Sequence, residues 1–467
     1  MFRGKIQRIH FVGIGGTGMS GIAEVLLTMG YTVTGSDMRG SATVERLRGL
    51  GGVIDIGHQA DQIDGADVVV KSTAVPNSNI EIAAASARGI PVIPRAEMLA
   101  ELMRVKHGIA IAGTHGKTTT TSMIATCLHG AGLDPTVVIG GRLNSMGSSA
   151  RLGAGDFMVA EADESDGSFM MLAPTVAVIT NIDPEHMEHW GTLKALVDGF
   201  YDFASKIPFF GFAALCIDHP TVRTLVPWMR RKVVTYGMSD DAEVRGEPLE
   251  TAGVLSRFAV HHRGARLGEI ELAMPGRHNV SNALAAVAVG LELDIPFAQL
   301  QRALHKFTGV DRRFSVRASV SLQPDAPPVT IIDDYGHHPV EIRATMDAAR
   351  DAFPAGRIVA VFQPHRYSRV ADLLTDFCQS FDKADQVVVC PIYAAGEKPI
   401  PRINHARLLS GLKDNGVDAR SVEDLLEAIE DLVEHAQPGD VVVTLGAGNV
   451  TTICAPLASR LESRRAG

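Results

Sequence analysis

Cysteine is scarce. The five in the chain, at positions 127, 216, 378, 390 and 454, are scattered over 467 residues and form no C-x-x-C pair. Such spacing argues against a disulfide framework or a thiolate zinc site and fits a reducing compartment, so a cytoplasmic location is expected. Long apolar runs are missing too. None approaches the ~20 residues that a membrane helix needs, so membrane insertion is not expected. The first apolar stretch opens a glycine loop rather than a cleavage site. Basic charge is not in excess: 44 Lys and Arg face 53 Asp and Glu, a formal charge of −9. A broad nucleic-acid surface needs the opposite balance, so no nucleic-acid partner is expected. One local cationic pocket for an anionic substrate stays compatible with it. No short-period repeat is visible.

What remains is an ordinary globular composition, 46% apolar and 21% charged. The length suggests about three domains. "IHFVGI" reads as a buried strand, "SGIAEVLLTMG" as a helix ending at Gly30 and "YTVTGSD" as the next strand. "ADVVVKST", "IEIAAASARG" and "IPVIP" continue the alternation. Short apolar runs alternating with helices imply a parallel sheet covered on both faces, which binds ligands at the carboxyl ends of its strands. The grammar restarts at "HGIAIAGTHGKTTT", with further strands at "FMVAEAD" and "VAVITNI". Residues 207–275 look hairpin-like, as in "RKVVTYG", and "NVSNALAAVAVGLEL" reads as a helix. A third start follows the loop "SLQPDAPP", with the strands "PVTIIDD", "RIVAVFQPH", "DQVVVCPI" and "DVVVTLGAG". The expected fold class is α/β, with three domains at 1–105, 106–325 and 326–467, each on a mainly parallel sheet.

Two glycine loops of different design stand out. "GTHGKT" holds Gly113, Thr114, His115, Gly116, Lys117 and Thr118. Loop amides and the start of the following helix would face an anion. Lys117 supplies a cation for terminal phosphates, and the Thr118 hydroxyl can complete a magnesium shell. The general G-x-x-x-x-G-K-[ST] pattern matches only in its second half, because the first glycine lies three residues before Gly116. The other loop, "GIGGTG", fits G-x-G-x-x-G at Gly13, Gly15 and Gly18, and Asp37 follows at a distance suited to a ribose hydroxyl. Alone it favours a nicotinamide or flavin enzyme. Beside an ATP-type loop, it favours a nucleotide-linked substrate gripped by its pyrophosphate.

Other clusters fall after strands. "VAEADESDGSF" carries Glu161, Asp163, Glu164 and Asp166, and "TNIDPEHMEHW" carries Asp183, Glu185, His186 and His189. Carboxylates beside a phosphate loop suit magnesium, although most of the first four read as solvated or structural. "MPGRHNVSNA" puts His278, Asn279 and Asn282 at a helix start, where amides can cap the helix or read a base. Arg312 with Arg313, and Arg366 with Arg369, are arginine pairs suited to carboxylate or phosphate. "DDYGHHPVEI" packs Asp333, Asp334, Tyr335, His337 and His338 directly after a strand.

The ordered set "GIGGTGMSGIA", "AGTHGKTTTT", "EADESD", "TNIDPEHM", "PGRHNVSNALAA", "GVDRRF", "DDYGHHPVEI" and "FQPHRYSR" closely resembles the bacterial Mur ligases over almost the whole chain. The shortened "GTHGKT" loop fits that family's own pattern. The resemblance implies a Rossmann-like domain for a UDP-sugar, a central P-loop-type ATPase domain, and a Rossmann-like third domain that completes an amino-acid site. It implies ATP and UDP-N-acetylmuramate as substrates with L-alanine as the added amino acid, or, as the alternative, a preformed tripeptide in a recycling reaction. Carried over, Lys117, His337, Arg366 and Arg369 would be catalytic. Gly113, Thr114, His115, Gly116, Lys117, Thr118, Thr119, His278, Asn279, Asn282 and Arg312 would bind ATP. Gly15, Gly16, Thr17, Gly18, Asp37, Ser72, Arg95, Arg313 and His338 would contact the other substrates. Thr118, Glu161 and His186 would hold Mg2+. Asp334 is the expected partner that orients His337. A monomer or weak homodimer is expected.

Overall fold

The computed structural model describes residues 6–72, 74–140, 150–249 and 253–466. Three sheets organise them. The first holds β1 (Arg8–Val12), β2 (Thr32–Asp37), β3 (Val53–Ile56), β4 (Val68–Lys71) and β5 (Val92–Pro94) in the order β3-β2-β1-β4-β5. All four pairings are parallel, and the order reverses at β1, where an open α/β sheet forms its binding crevice.

The second sheet has ten strands, in the order β15-β14-β13-β12-β11-β10-β6-β9-β7-β8. Its central part is β6 (His107–Ala112), β9 (Phe157–Glu161), β10 (Val176–Ile179) and β11 (Phe212–Cys216). The flanks are β7 (Thr136–Val138), β8 (Ala150–Arg151), β12 (Lys232–Gly237), β13 (Val244–Pro248), β14 (Ser256–His262) and β15 (Ala265–Leu272). The segment "RKVVTYG", expected in a hairpin, is instead β12, parallel to β11. The short helix Pro220–Arg223 lies between them, as a parallel connection requires. Strand β11 itself, "FAALC", is wholly buried; its two alanines carry little strand propensity, which hid it in the sequence.

The third sheet runs β16-β17-β21-β18-β19-β20, from β16 (Ser315–Val320), β17 (Val329–Asp334), β18 (Ile358–Phe362), β19 (Gln386–Val389), β20 (Ala419–Ser421) and β21 (Val441–Leu445). Strand β16 pairs antiparallel with β17, so this sheet takes in residues ahead of the edge expected at 325. Its alternation of exposed and buried positions is weak, as expected of an edge strand.

By contacts the chain forms two compact units. One runs to Glu247 and includes Phe258–Glu271 and Ser281–Thr308; the other holds Pro248–Arg257, Leu272–Val280 and the chain from Gly309 onward. The first two sheets fall in one unit because a single apolar core joins them, from Ile9 and Phe11 through Leu99 and Leu102 to Ala110, Phe200 and Phe203. The third sheet has cores on both faces, around Phe362, Phe377 and Phe381 on one side and Val361, Val442 and Leu457 on the other. Among the described residues no helix is long and apolar enough to cross a membrane.

Candidate active site

The second glycine loop links β6 to the helix Lys117–Gly130. Gly113 sits at φ 139°, and a Cβ there would lie 2.0 Å from Thr180 Oγ1. Gly116 is left-handed (φ 81°), and a Cβ on it would meet Asn282 Oδ1 at 2.7 Å. Both positions therefore require glycine. The segment after β10 clamps the loop from behind. Thr114 N donates to Asn181 O (3.2 Å), His115 N to Asn181 Oδ1 (2.7 Å) and Thr180 Oγ1 to His115 O (2.7 Å). Asp183 N donates to Thr114 Oγ1 (2.9 Å), and its carboxylate faces His115 and His219 at 3.6 and 3.2 Å. The first amides of the helix have no intrahelical acceptor, so they and the helix dipole face an anion placed in the loop. Gly113→Ala combines a strained φ with a collision. It is expected to cost about 2–5 kcal/mol, read by urea unfolding, and to abolish nucleotide binding.

Lys117 Nζ reaches Gly113 O (2.6 Å), Thr114 O (3.1 Å) and both oxygens of Glu164 (2.9 and 2.8 Å). Burial opposes its charge, but Glu164 and Asp163 outweigh burial and hold the amine above its ordinary pKa. Thr118 is half-buried, whereas Thr119, Thr120 and Thr121 are buried in the body of the helix. Asn282 meets the loop from its own helix, Arg277–Glu292, and accepts from Thr120 Oγ1 at 3.0 Å. Asn279 donates its side-chain amide to Pro275 O (2.7 Å), four residues back, and His278 is exposed.

Glu161 ends β9 opposite Ile111 of β6, and a Cβ at Gly140 would lie 2.6 Å from its Oε2. Thr118 and Glu161 are hard oxygen donors at neighbouring strand and helix ends, which fits magnesium. Among the described residues no group of three His, Cys, Asp or Glu could hold a metal. His186 lies beside Glu185 (3.9 Å) and Glu188 (3.7 Å) at the start of the short helix Met187–Trp190.

The first loop leaves β1 and enters the helix Thr17–Thr28, with Gly13 at φ 80° against Ser72. Asp37 Oδ2 accepts from Gly15 N at 2.8 Å, so this carboxylate braces the loop. A Cβ on Gly18 would meet Arg95 Nη1 at 2.9 Å. Arg95 therefore lies on the loop, and its Nη2 reaches Asp163 at 3.2 Å. Gly16 caps the helix start, and the Thr17 side chain lies outside the described residues.

The remaining predicted residues meet at the carboxyl ends of β17, β18 and β21. Arg312 donates to Gly446 O and Gly448 O, lies 3.4 Å from the buried Asp333, and packs over Tyr335, as Arg313 also does. His337 is oriented by Glu341, not by Asp334 as expected. Its Nδ1 lies 3.1 Å from Tyr335 O and 3.2 Å from Glu341 Oε2, which leaves Nε2 as the basic nitrogen. Asp334 is occupied by the backbone amides of Phe314 and Gly336, both at 2.7 Å, and burial pushes its pKa up. His338, expected on a substrate, is buried and caps the helix Pro339–Ala352; its Nδ1 accepts from Val340 N at 3.4 Å.

Arg366 is exposed with φ 68°, and Arg369 Nη1 lies 3.3 Å from His365 Nδ1. The His365 ring stacks on Tyr393 (5.7 Å, 10°) and lies 5.7 Å from His337. Burial first, then His337, Arg369 and Arg366, lower its pKa to about 4. At neutral pH His365 is therefore uncharged. Between its ordinary 6.5 and 4, only the unfolded chain takes up that proton, so stability falls as pH drops through this window. His365→Gln is expected to flatten that loss when urea unfolding is followed from pH 7 to 4.5. Glu164, Glu341, Gln363 and His365 all lie within the quoted motifs "EADESD", "DDYGHHPVEI" and "FQPHRYSR", but residue type alone does not give them these contacts; Tyr393 lies outside every quoted motif.

Family models match along the whole of this arrangement: the Mur ligase family catalytic domain over residues 8–107, the Mur ligase middle domain over 111–290, and the Mur ligase glutamate ligase domain over 312–448. A UDP-N-acetylmuramate–L-alanine ligase of Sorangium cellulosum is 52% identical, covering 99% of this chain and 98% of the relative. One from Anaeromyxobacter dehalogenans is 53% identical, covering 99% of each. Among solved structures, a UDP-N-acetylmuramate–alanine ligase of Thermotoga maritima superposes with a TM-score of 0.82 at 31% identity, covering 98% of this chain and 99% of its own. A murein peptide ligase of Psychrobacter arcticus shares the fold at a TM-score of 0.69 and 24% identity, with 98% and 99% covered.

Proposed function

The chain belongs to the Mur ligase family, and from that premise we infer its reaction: ATP-dependent ligation of L-alanine to UDP-N-acetylmuramate in peptidoglycan precursor synthesis. The observation that carries this reading is end-to-end identity above 50% with L-alanine ligases. The two glycine loops supply its physical sense. Gly113–Thr118 holds the phosphate that is consumed. Gly13–Gly18, with Arg95 laid on it, faces a pyrophosphate that survives as the substrate's handle.

In the mechanism we put forward, a lactyl carboxylate oxygen attacks the γ-phosphorus of ATP, and the β,γ-bridging bond breaks to release ADP. The product is an acyl phosphate. Lys117 neutralises charge on the transferring group. Thr118 and Glu161 would hold Mg2+, whose charge would stabilise the same oxygens. The alanine amine then adds to the acyl carbon, and the tetrahedral intermediate expels inorganic phosphate. The amine proton goes to His337 Nε2, the nitrogen left basic by the Nδ1 contacts to Tyr335 O and Glu341. Arg366 and Arg369 suit the alanine carboxylate. His186 keeps a proposed place near the metal only, and the cytoplasmic location is part of the same reading.

Phosphate release from ATP with UDP-N-acetylmuramate and each amino acid in turn tests the assignment. Full turnover with L-alanine is expected, and weaker turnover with glycine or serine, because a missing methyl is worth only ~1–3 kcal/mol and an apolar pocket rejects an added hydroxyl only weakly. Turnover that needs a tripeptide and ignores free alanine would overturn the assignment.

A further inference from the structure

We propose that Glu164 is a positioning residue that holds the Lys117 amine in its loop and is displaced by the triphosphate when ATP enters. An ammonium group has three N–H donors. Lys117 Nζ already has four acceptors within 3.1 Å: the two carboxylate oxygens of Glu164 and the carbonyls of Gly113 and Thr114. Its donors are all committed. A phosphate oxygen can bond this amine only by replacing one of those acceptors. The two carbonyls belong to the loop backbone, which the clamp from Thr180, Asn181 and Asp183 holds in place. The carboxylate is the partner that can yield.

Glu164 is built to return to the amine. It is 2% exposed, and its backbone is held by contacts separate from the one its side chain makes with Lys117. Its carbonyl accepts from Trp190 Nε1 at 2.9 Å and from Gly167 N at 3.1 Å. Asp163, the preceding residue, is anchored to Arg95 and to Ser165 N. Displacing the side chain would therefore leave the backbone in place. The consequence is a competition. ATP gains the Lys117 contact only by giving up a buried, bidentate ion pair. Part of the binding energy of the lysine is thus spent before chemistry begins, which keeps ground-state affinity below what the loop could give.

The test is a double-mutant cycle on binding. Affinity for a non-hydrolysable ATP analogue with magnesium is measured by calorimetry for the full-length protein, Glu164→Gln, Lys117→Ala and the double variant. Removing the competitor is expected to tighten binding about tenfold in the presence of Lys117. In the Lys117→Ala background the same change is expected to do nothing, because the competition acts only through that amine. In turnover, Glu164→Gln should lower the KM for ATP more than it alters kcat. Weaker binding in Glu164→Gln would overturn the proposal, since Glu164 would then support the nucleotide. An equal effect in both backgrounds would overturn it too, by showing a general structural role. Should Glu164→Gln fold poorly, Glu164→Asp carries the test: one methylene shorter, it should tighten binding by a smaller factor, and no change or a loss would count against the proposal.

Discussion

Lys117→Ala is expected to lower ATP-dependent ligation by about 10³-fold or more, with UDP-N-acetylmuramate affinity unchanged within about twofold. The first part follows from its position at the start of the helix after β6, where the amine lies against the loop carbonyls of Gly113 and Thr114. The second follows from the separate place proposed for the sugar nucleotide, on the loop after β1. A complication comes with the substitution. It leaves the buried carboxylate of Glu164 without its counter-ion, and orphaning one member of a buried pair costs about 3–5 kcal/mol. The single variant should therefore melt early. Lys117→Ala with Glu164→Gln should recover much of that stability without recovering activity. Turnover near that of the parent in either variant would remove Lys117 from the reaction.

His337→Ala is expected to lower kcat by about 10²–10⁴-fold while changing the KM for ATP little. The imidazole is held at Nδ1 by the Tyr335 carbonyl and Glu341, so it presents one nitrogen in one orientation. If that nitrogen takes the amine proton, raising the pH should narrow the gap between variant and parent, because more neutral amine then arrives from solution. A merely structural histidine would show a gap that ignores pH. Glu341→Gln supplies the finer test. The ring should stay roughly in place but lose the anion beside it, so a fall in kcat much smaller than that of His337→Ala is expected.

The strand-loop-helix grammar and both glycine loops were legible because they depend on residues close in sequence. Gly113, Gly116 and Lys117 announce their conformation through residue type alone. What escaped depends on which side chains meet across the fold. In "EADESD" two glutamates three residues apart look alike, yet Glu161 ends a strand and Glu164 grips Lys117. Only the turn after β9 distinguishes them. In "DDYGHHPVEI" the nearest acid to His337, Asp334, was the natural candidate for orienting it. The helix start at Pro339 brings Glu341 to it instead and takes His338 for its cap. Arg312 meets Gly446 and Gly448 over more than 130 positions of separation, and no local pattern carries that contact. Strand β11 is hard to read in the sequence for a simpler reason: buried on both faces and rich in alanine, it offers neither alternation nor β-branched residues.

In the proposed mechanism a phosphoryl group passes through the substrate's carboxylate. Isotope transfer tests this directly. UDP-N-acetylmuramate labelled with 18O in its lactyl carboxylate is turned over with ATP and L-alanine, and the inorganic phosphate is analysed by mass spectrometry. One 18O atom per phosphate released is expected from doubly labelled carboxylate, because the attacking carboxylate oxygen leaves with the phosphorus. Phosphate carrying no label, with label retained in full on the sugar nucleotide, would contradict it.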